Sequence, residues 1–236
     1  MRIFLAERAI VAHERRGGLY TLPAYFCARS LAESALQLLF ALLFALITYG
    51  LIGLASTAAQ LGTFLLVVTL VTLVAESYIV LVGSVMPDEK SAAVVSPIFL
   101  ALFLVTGGFF LNAQSVPLLF RLLNHANMFQ YAFAAVLTNE FSGLTLTCTP
   151  SELVGPPPPS SLSERAMRAL LNLGGGPDRW PAQRCPIEHG EQVLESMSLS
   201  ERSPLYNAAL LLLLLLAYRL LAYLALRRRF RSPYDA

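Results

Sequence analysis

The chain has 236 residues, of which 56% are apolar and only 14% charged, and its mean hydropathy is +0.61. Soluble domains carry about 25% charged residues, so this composition excludes a soluble globular protein and indicates an integral membrane protein. The net charge of +2 is too small to indicate a nucleic-acid partner. The three cysteines lack the spacing of a metal site, and Met1–Arg16 lacks the apolar core of a signal peptide.

Residues 1–20 are predicted to form a charged cytoplasmic helix. Apolar and charged side chains both repeat at heptad spacing, as in the pairs Ile3 and Ile10, Phe4 and Val11, Glu7 and Glu14, and Arg8 and Arg15. No acidic residue from Arg2 to Arg16 lies three or four positions from a basic one, so these charges lack local helical partners. They are therefore free to meet another protein surface. A solvated juxtamembrane helix is the alternative interpretation.

Four apolar segments reach the roughly 20 residues that a helix needs to cross a bilayer. They run from about Leu31 to Leu54, Leu61 to Val85, Ser91 to Leu111 and Leu205 to Leu226. The predicted fold is therefore an all-α polytopic membrane domain with about four spans. Its predicted parts are residues 1–20, spans one to three in residues 21–111, a re-entrant hairpin in 112–143, an extracellular loop in 144–204, and the last span with a basic cytoplasmic tail in 205–236.

The orientation follows from the basic residues in the short loops and tails. They precede span one, separate spans two and three, and follow span four: Arg8, Arg15, Arg16, Arg29, Lys90, Arg227–Arg229 and Arg231. The positive-inside rule then places both termini in the cytoplasm and the segment from Asn112 to Pro204 outside. Within that outer segment, Phe129–Phe141 is predicted to be a short helix at membrane depth. Pro156–Pro159 and Gly174–Gly176 are typical of linkers.

A few charged residues fall inside apolar surroundings. Glu76 lies in the middle of span two, where a charge indicates a functional site by default, and Arg219 can snorkel to the interface or pair across helices. Glu140 is expected to hold the re-entrant hairpin rather than to bind substrate. A membrane enzyme using Glu76 with His125 or His189 is a rival hypothesis, but no catalytic spacing is present.

Two sets of motifs resemble one transporter family. The first consists of Glu7-Arg8, His13-Glu14, Gly18-x-Tyr20, Tyr25-Phe26 and Leu31-Ala32-Glu33. It resembles the membrane domain of ABCG (White) subfamily ABC transporters, of the ABC-2 type. The resemblance implies that Glu7, Arg8, His13, Glu14 and Arg15 belong to a coupling helix that meets the nucleotide-binding domain. The family often has proline where Ala35 stands.

The second set consists of Gly107-Gly108-Phe109-Phe110-Leu111-Asn112, Tyr131-x-Phe133-x-Ala135 and Asn139-Glu140-Phe141-x-Gly143. It resembles the family's fifth helix and re-entrant motif, so the chain looks like a half-transporter membrane domain without its first two helices. Phe109 and Phe110 fall where an apolar gate closes the central cavity of relatives. Interfacial belt residues are the alternative for this aromatic pair.

The same family has cysteines in its outer loop. Cys148 and Cys185 lie in this predicted oxidising loop with no third competitor, which favours an intrachain disulfide. Cys27, at the inner boundary, is expected to be a reduced packing residue.

The sequence contains no G-x-x-x-x-G-K-[ST] phosphate loop. No cofactor is therefore expected in this chain, and ATP and magnesium are expected on a missing or partner nucleotide-binding domain. The resemblance implies an exporter of lipids, sterols or other hydrophobic compounds that works as a homodimer or heterodimer. It implies a plasma membrane or an internal eukaryotic membrane as the location. The alternative function is a truncated copy that binds and regulates full-length subunits without transporting.

Overall fold

The computed structural model describes residues 10–11, 13–14, 17–54, 57–109, 123–149, 152–154, 185–199 and 203–229. Six helices lie within these ranges: α1 (Leu22–Ile52), α2 (Ala58–Val85), α3 (Glu89–Thr106), α4 (Met128–Phe141), α5 (Gly190–Ser196) and α6 (Pro204–Arg229). An isolated bridge joins Thr145 and His189, and the described residues contain no extended strand. The prediction of an all-α fold is confirmed.

Helices α1, α2, α3 and α6 are each long and apolar enough to cross a membrane, which confirms a multi-pass membrane protein. The largest differences from the predicted bounds are at the start of α1 and the end of α3. Helix α1 begins at Leu22 rather than Leu31, with a proline in its first turn, where the fixed φ of proline suits a helix start. Helix α3 ends at Thr106 rather than Leu111 because Gly108 has a φ of +99°, which breaks the helical path.

The turn between α2 and α3 stops one helix and starts the next. Asp88 caps α3 by accepting hydrogen bonds from the backbone N–H of Ser91 at 3.0 Å and from its hydroxyl at 2.8 Å. These two bonds favour the ionised carboxylate, so they lower the pKa of Asp88. The cap fixes the end of the membrane domain that is predicted to be cytoplasmic.

Helix α2 is the centre of the membrane unit, because it packs against α1, α3 and α6, with α6 as its most extensive neighbour. Arg219 on α6 bonds to Glu76 on α2, and Arg229 bonds to the carbonyl of Met86. In both pairs the partners are 143 residues apart in the sequence. Because this offset is the same at two points along the helices, α2 and α6 run parallel. The main core cluster joins these helices to α3 and α4, and its largest fully buried side chains are Val67, Val74, Met128 and Leu211.

The chain divides into two compact units, one comprising Met1–Glu140 with Met197–Ala236 and the other Phe141–Ser196. In the second unit, Cys148 and Cys185 form a disulfide with their Cα atoms 5.7 Å apart, so this prediction is confirmed. The linker-like stretches of the loop lie outside the described residues. In the first unit, Cys27 is free, as expected, but it is exposed, so the expectation that it is a packing residue is wrong. Its position on α1 faces away from the helix neighbours.

The disulfide gives a direct test of the second unit. Peptide mapping of the protein without reductant is expected to recover one linked pair of peptides containing Cys148 and Cys185, and reductant should separate them. Cys27 should react with a thiol reagent in both samples because it is free. Recovery of Cys148 and Cys185 as free thiols before reduction would contradict this pairing.

Candidate functional site

An ion pair lies inside the membrane unit and joins three spans. The guanidinium of Arg219 donates from Nη2 to Glu76 Oε1 at 2.8 Å and to Ser34 Oγ at 2.9 Å. The Ser34 hydroxyl in turn donates to Glu76 Oε2 at 3.3 Å. The side chains of Arg219 and Glu76 are only 15% and 9% exposed. We call these three residues the ion-pair triad; it links α1, α2 and α6.

The depth of the triad explains why it needs both charges. Glu76 precedes the end of α2 by more than two turns, so it lies roughly 14 Å from that end at the rise of an α-helix. An isolated carboxylate or guanidinium at such a depth is costly, and pairing with hydrogen bonds offsets that cost. The sequence allowed Arg219 either to snorkel to the interface or to pair across helices, and in the structure it pairs with Glu76. Glu76 is engaged here with Arg219 and Ser34, and this gives the rival enzyme hypothesis no support.

Tyr218, the residue before Arg219 on α6, extends the contact towards α4. The hydroxyl of Tyr218 donates to the carbonyl of Ala126 at 2.5 Å. Its ring lies against Tyr78 with centroids 6.1 Å apart, and Tyr78 meets Phe103 edge-on at 5.9 Å. Tyr218 therefore connects the level of the triad to α3 and to the turn that precedes α4.

The turn before α4 is tied to the end of α3 by one buried amide. Asn127 is completely buried, and its Nδ2 donates to the carbonyl of Phe103 at 2.7 Å and to Thr106 Oγ1 at 3.2 Å. Its Oδ1 accepts from the backbone N–H of Phe129 at 3.0 Å. The last carbonyls of a helix lack helical partners, so Asn127 supplies one to Phe103. It also fixes the start of α4.

The glycine pair after α3 brings α4 close. A Cβ placed on Gly107 would lie 3.0 Å from the Cβ of Phe129, tighter than ordinary packing allows. The ring of Phe109 meets Phe133 edge-on with centroids 5.6 Å apart. Phe109 therefore packs sideways on α4.

Of the two phenylalanines predicted to form a gate, the structure describes only Phe109. Helical geometry does not set the direction of the Phe109 ring, because α3 ends before it. Phe109 is 63% exposed, so its loss would not carry the cost of removing a buried ring. Phe110 lies outside the described residues, and its assignment as a gate residue stays a prediction.

An open apolar cleft of about 330 Å³ lies beside Phe109. It is lined by ten apolar residues from α2, α4 and the end of α3: Val67, Val68, Val71, Leu104, Gly107, Phe109, Phe129, Ala132, Phe133 and Val136. The volume falls at the lower end of the range for ligand pockets. The cleft offers no polar group to orient a ligand, so it suits hydrocarbon only.

The re-entrant motif anchors α4 to the start of α2. Asn139 and Gln60 exchange bonds, because Asn139 Nδ2 donates to the Gln60 carbonyl at 3.0 Å and Gln60 Nε2 donates to the Asn139 carbonyl at 3.1 Å. Glu140 is buried and accepts from Asn139 Nδ2 at 2.8 Å. This geometry supports the prediction that Glu140 holds the hairpin. Phe141 ends α4, and Gly143 has a φ of +73° that suits the turn after it.

The predicted coupling helix is described only in part. His13 and Glu14 are helical, His13 is exposed, and a turn follows at Gly17 and Gly18. The hydroxyl of Tyr20 donates to Glu14 Oε2 at 2.6 Å, so Glu14 has a local partner that a search for opposite charges missed. Tyr20 also stacks on Tyr25 of α1 with ring centroids 5.7 Å apart. Glu7, Arg8 and Arg15 lie outside the described residues.

Comparison with known proteins identifies the family. The model of the ABC-2 type transporter family matches residues 1–141, which is more than half of the chain. The chain belongs to the ABC-2 type transporter family. Its relatives are ABCG and White proteins, which confirms the resemblance seen in the motifs. The chain is therefore a transporter membrane domain and not a nucleotide-binding domain.

Three relatives show how far the similarity extends. The chain is 34% identical to ABC transporter G family member 7 of Arabidopsis thaliana over 60% of the chain and 20% of the relative. It is 31% identical to Protein white of Ceratitis capitata over 97% of the chain and 30% of the relative. It is 29% identical to ABC transporter G family member 8 of Arabidopsis thaliana over 96% of the chain and 34% of the relative. The chain thus spans about a third or less of these relatives.

Within this ABC-2 membrane domain, three residues emerge that sequence reasoning missed. Ser34, Tyr218 and Asn127 are ordinary polar residues whose roles depend on partners far along the chain. The only available signal was their position inside or beside apolar segments, where a polar group needs a partner. Among the described residues, no three His, Cys, Asp or Glu side chains group as metal ligands do.

Proposed function

We propose that this chain is the membrane-spanning part of an ATP-driven exporter and that it moves lipids, sterols or other hydrophobic compounds across a membrane. A nucleotide-binding domain supplies ATP hydrolysis with magnesium, either on a partner or on a longer form of the protein. Two such membrane domains pair, as a homodimer or heterodimer, to enclose the transport path. Family membership and the four spans support the transporter class.

The observation that carries the proposal is a continuous set of contacts through the membrane unit. Tyr20 joins the coupling segment to α1, and Ser34 on α1 belongs to the ion-pair triad. Tyr218, beside Arg219, reaches the turn before α4, and Asn127 in that turn holds the end of α3. Motion of the coupling segment therefore has a packed and hydrogen-bonded route to the Phe109–Phe110 pair.

The nature of the substrate is argued from the surfaces near the end of that route. The cleft beside Phe109 is lined by apolar residues throughout. An apolar path favours solutes that leave water readily. This supports hydrophobic cargo and disfavours ions or sugars.

The coupling segment gives the test of this function. In the assembled transporter, Glu14→Leu removes the acceptor and Tyr20→Phe removes the donor of the 2.6 Å hydrogen bond that connects the segment to α1. Both are expected to lower substrate-stimulated ATPase and export several-fold with assembly unchanged. The double variant should show no further loss, since the two residues act through one bond. Arg15, predicted to act with Glu14, should give a similar loss on charge reversal.

The control is Leu19→Ala, because Leu19 is 71% exposed beside Tyr20 and has no assigned role in coupling. It should leave both activities near those of the wild type. Unchanged stimulation and export in the Glu14 and Tyr20 variants would reject the coupling role. If the chain instead assembles with full-length subunits and lowers their export, it is the regulatory copy and the transport proposal fails.

A further inference from the structure

The inner end of α6 carries three consecutive arginines that face different surroundings. Arg229 is occupied by the protein, because its guanidinium donates to the carbonyls of Met86 at 2.7 Å and Pro87 at 3.3 Å, with Ser84 and Val85 also in reach. These carbonyls end α2, where a positive charge complements the helix dipole. Arg229 is thus a structural clamp between α6 and α2.

Arg227 and Arg228 face away from the protein. Leu226 is buried against α1 with Ala222, and the clamp turns Arg229 towards α2. A helix advances about 100° per residue, so the two remaining arginines point to the opposite side. Both are exposed, and neither forms a hydrogen bond or ion pair with another of the described residues.

A stripe of exposed leucines leads along α6 to these two arginines. Leu213, Leu220 and Leu224 are 62%, 58% and 38% exposed. Leu224 lies three residues before Arg227 and four before Arg228, so it sits on the helix surface between them. Leu220 and Leu213 continue the same stripe further into the membrane. We call these three leucines with Arg227 and Arg228 the α6 outer face.

We propose that the α6 outer face binds an anionic phospholipid, with its phosphate between Arg227 and Arg228 and an acyl chain along the leucine stripe. Two adjacent guanidinium groups match phosphate oxygens, and no acidic side chain of the described residues neutralises them. The apolar stripe at membrane depth matches hydrocarbon. The positive-inside orientation places this end in the leaflet that is rich in anionic lipid. The proposal concerns a resident lipid and stands independently of transport.

The test is a lipid titration of the full-length chain in detergent, followed by native mass spectrometry. Phosphatidylserine and phosphatidylcholine with identical acyl chains are added separately. The first phosphatidylserine is expected to bind more tightly, on the order of tenfold at low ionic strength, from two arginines near a headgroup. Arg227→Gln with Arg228→Gln should bring its affinity to that of phosphatidylcholine. Melting temperature should change little, since both side chains are exposed.

The matched control is Arg229→Gln, which removes the neighbouring charge. It is expected to keep the preference for phosphatidylserine and to lower the melting temperature, because four carbonyls lose a donor. The proposal is overturned if the wild type does not discriminate between the two lipids, if the double variant still does, or if Arg229→Gln alone abolishes the preference. Displacement of the lipid by equimolar glycerophosphoserine would also overturn it, because a free headgroup would then suffice without the leucine stripe.

Discussion

Replacing Arg219 with leucine is expected to destabilise the protein by about 3–5 kcal/mol, because it leaves the buried carboxylate of Glu76 without its counter-charge. The pair is 2.8 Å apart, and the glutamate side chain is only 9% exposed, so water cannot take over the role of the arginine. Ser34 would remain as a single hydroxyl donor. Thermal or chemical unfolding of the purified protein in detergent measures the loss.

A second variant separates lost charge pairing from lost packing. Combining Arg219→Leu with Glu76→Leu removes both charges, and well-packed apolar replacements of buried ion pairs are often close to neutral. The double variant should therefore recover much of the stability that the single variant loses. This recovery gives a coupling energy between the two sites of about 2–3 kcal/mol in a double-mutant cycle.

Arg29 provides the matched control. It forms an ion pair with Glu33 at 2.9 Å on α1, but the two side chains are 24% and 30% exposed. Pairs of this i,i+4 kind contribute about 0.3–0.5 kcal/mol, so Arg29→Leu should have a small effect. The explanation would be contradicted if Arg29→Leu and Arg219→Leu lowered the free energy of unfolding equally, or if the double variant recovered no stability. Burial would then not determine how much the triad contributes to stability.

The ion-pair triad also shows where sequence reasoning stops. Glu76 and Arg219 were both conspicuous as charges in apolar segments, so their importance was predictable. Their pairing depends on the parallel register of α2 and α6, whose partners are 143 residues apart. No local pattern encodes that register. Apolar length, in contrast, is a local property, and it predicted all four spans.

The predicted position of the end of α3 was wrong for a related reason. Hydropathy continues through Phe109 to Leu111, so the apolar pattern extended the helix beyond Thr106. The helix actually ends where Gly108 takes a positive φ and Asn127 supplies the hydrogen bond to Phe103. The apolar pattern ran through the glycine pair, and Asn127 lies too far along the chain for a local pattern to identify it as the donor. The disulfide was easier because the predicted outer loop contains only two cysteines.

Replacing Asn127 with alanine is expected to cost about 2–5 kcal/mol, because it leaves a buried backbone carbonyl and a half-buried backbone N–H without partners. The carbonyl of Phe103 loses its donor, and the N–H of Phe129 loses its acceptor. Both groups lie in apolar surroundings, where an unpaired polar group is costly. Unfolding in detergent measures the loss. Tyr218→Phe is the graded control: it removes the single bond to Ala126 and keeps the ring, so about 1 kcal/mol is expected.

The Asn127 variant should also change the position of the Phe109–Phe110 segment, which no altered side chain touches. With Phe103 released, the end of α3 is free to move relative to α4, and the edge-on contact of Phe109 with Phe133 should loosen. A cysteine introduced as Phe109→Cys reports this by its rate of maleimide labelling, which should rise several-fold when Asn127→Ala is added. Tyr218→Phe in the same background should change the rate less. If Asn127→Ala lowers stability but leaves labelling unchanged, the amide stabilises the turn without positioning the aromatic pair. In that case the contacts that lead from the coupling segment reach α4 but do not extend to the predicted gate.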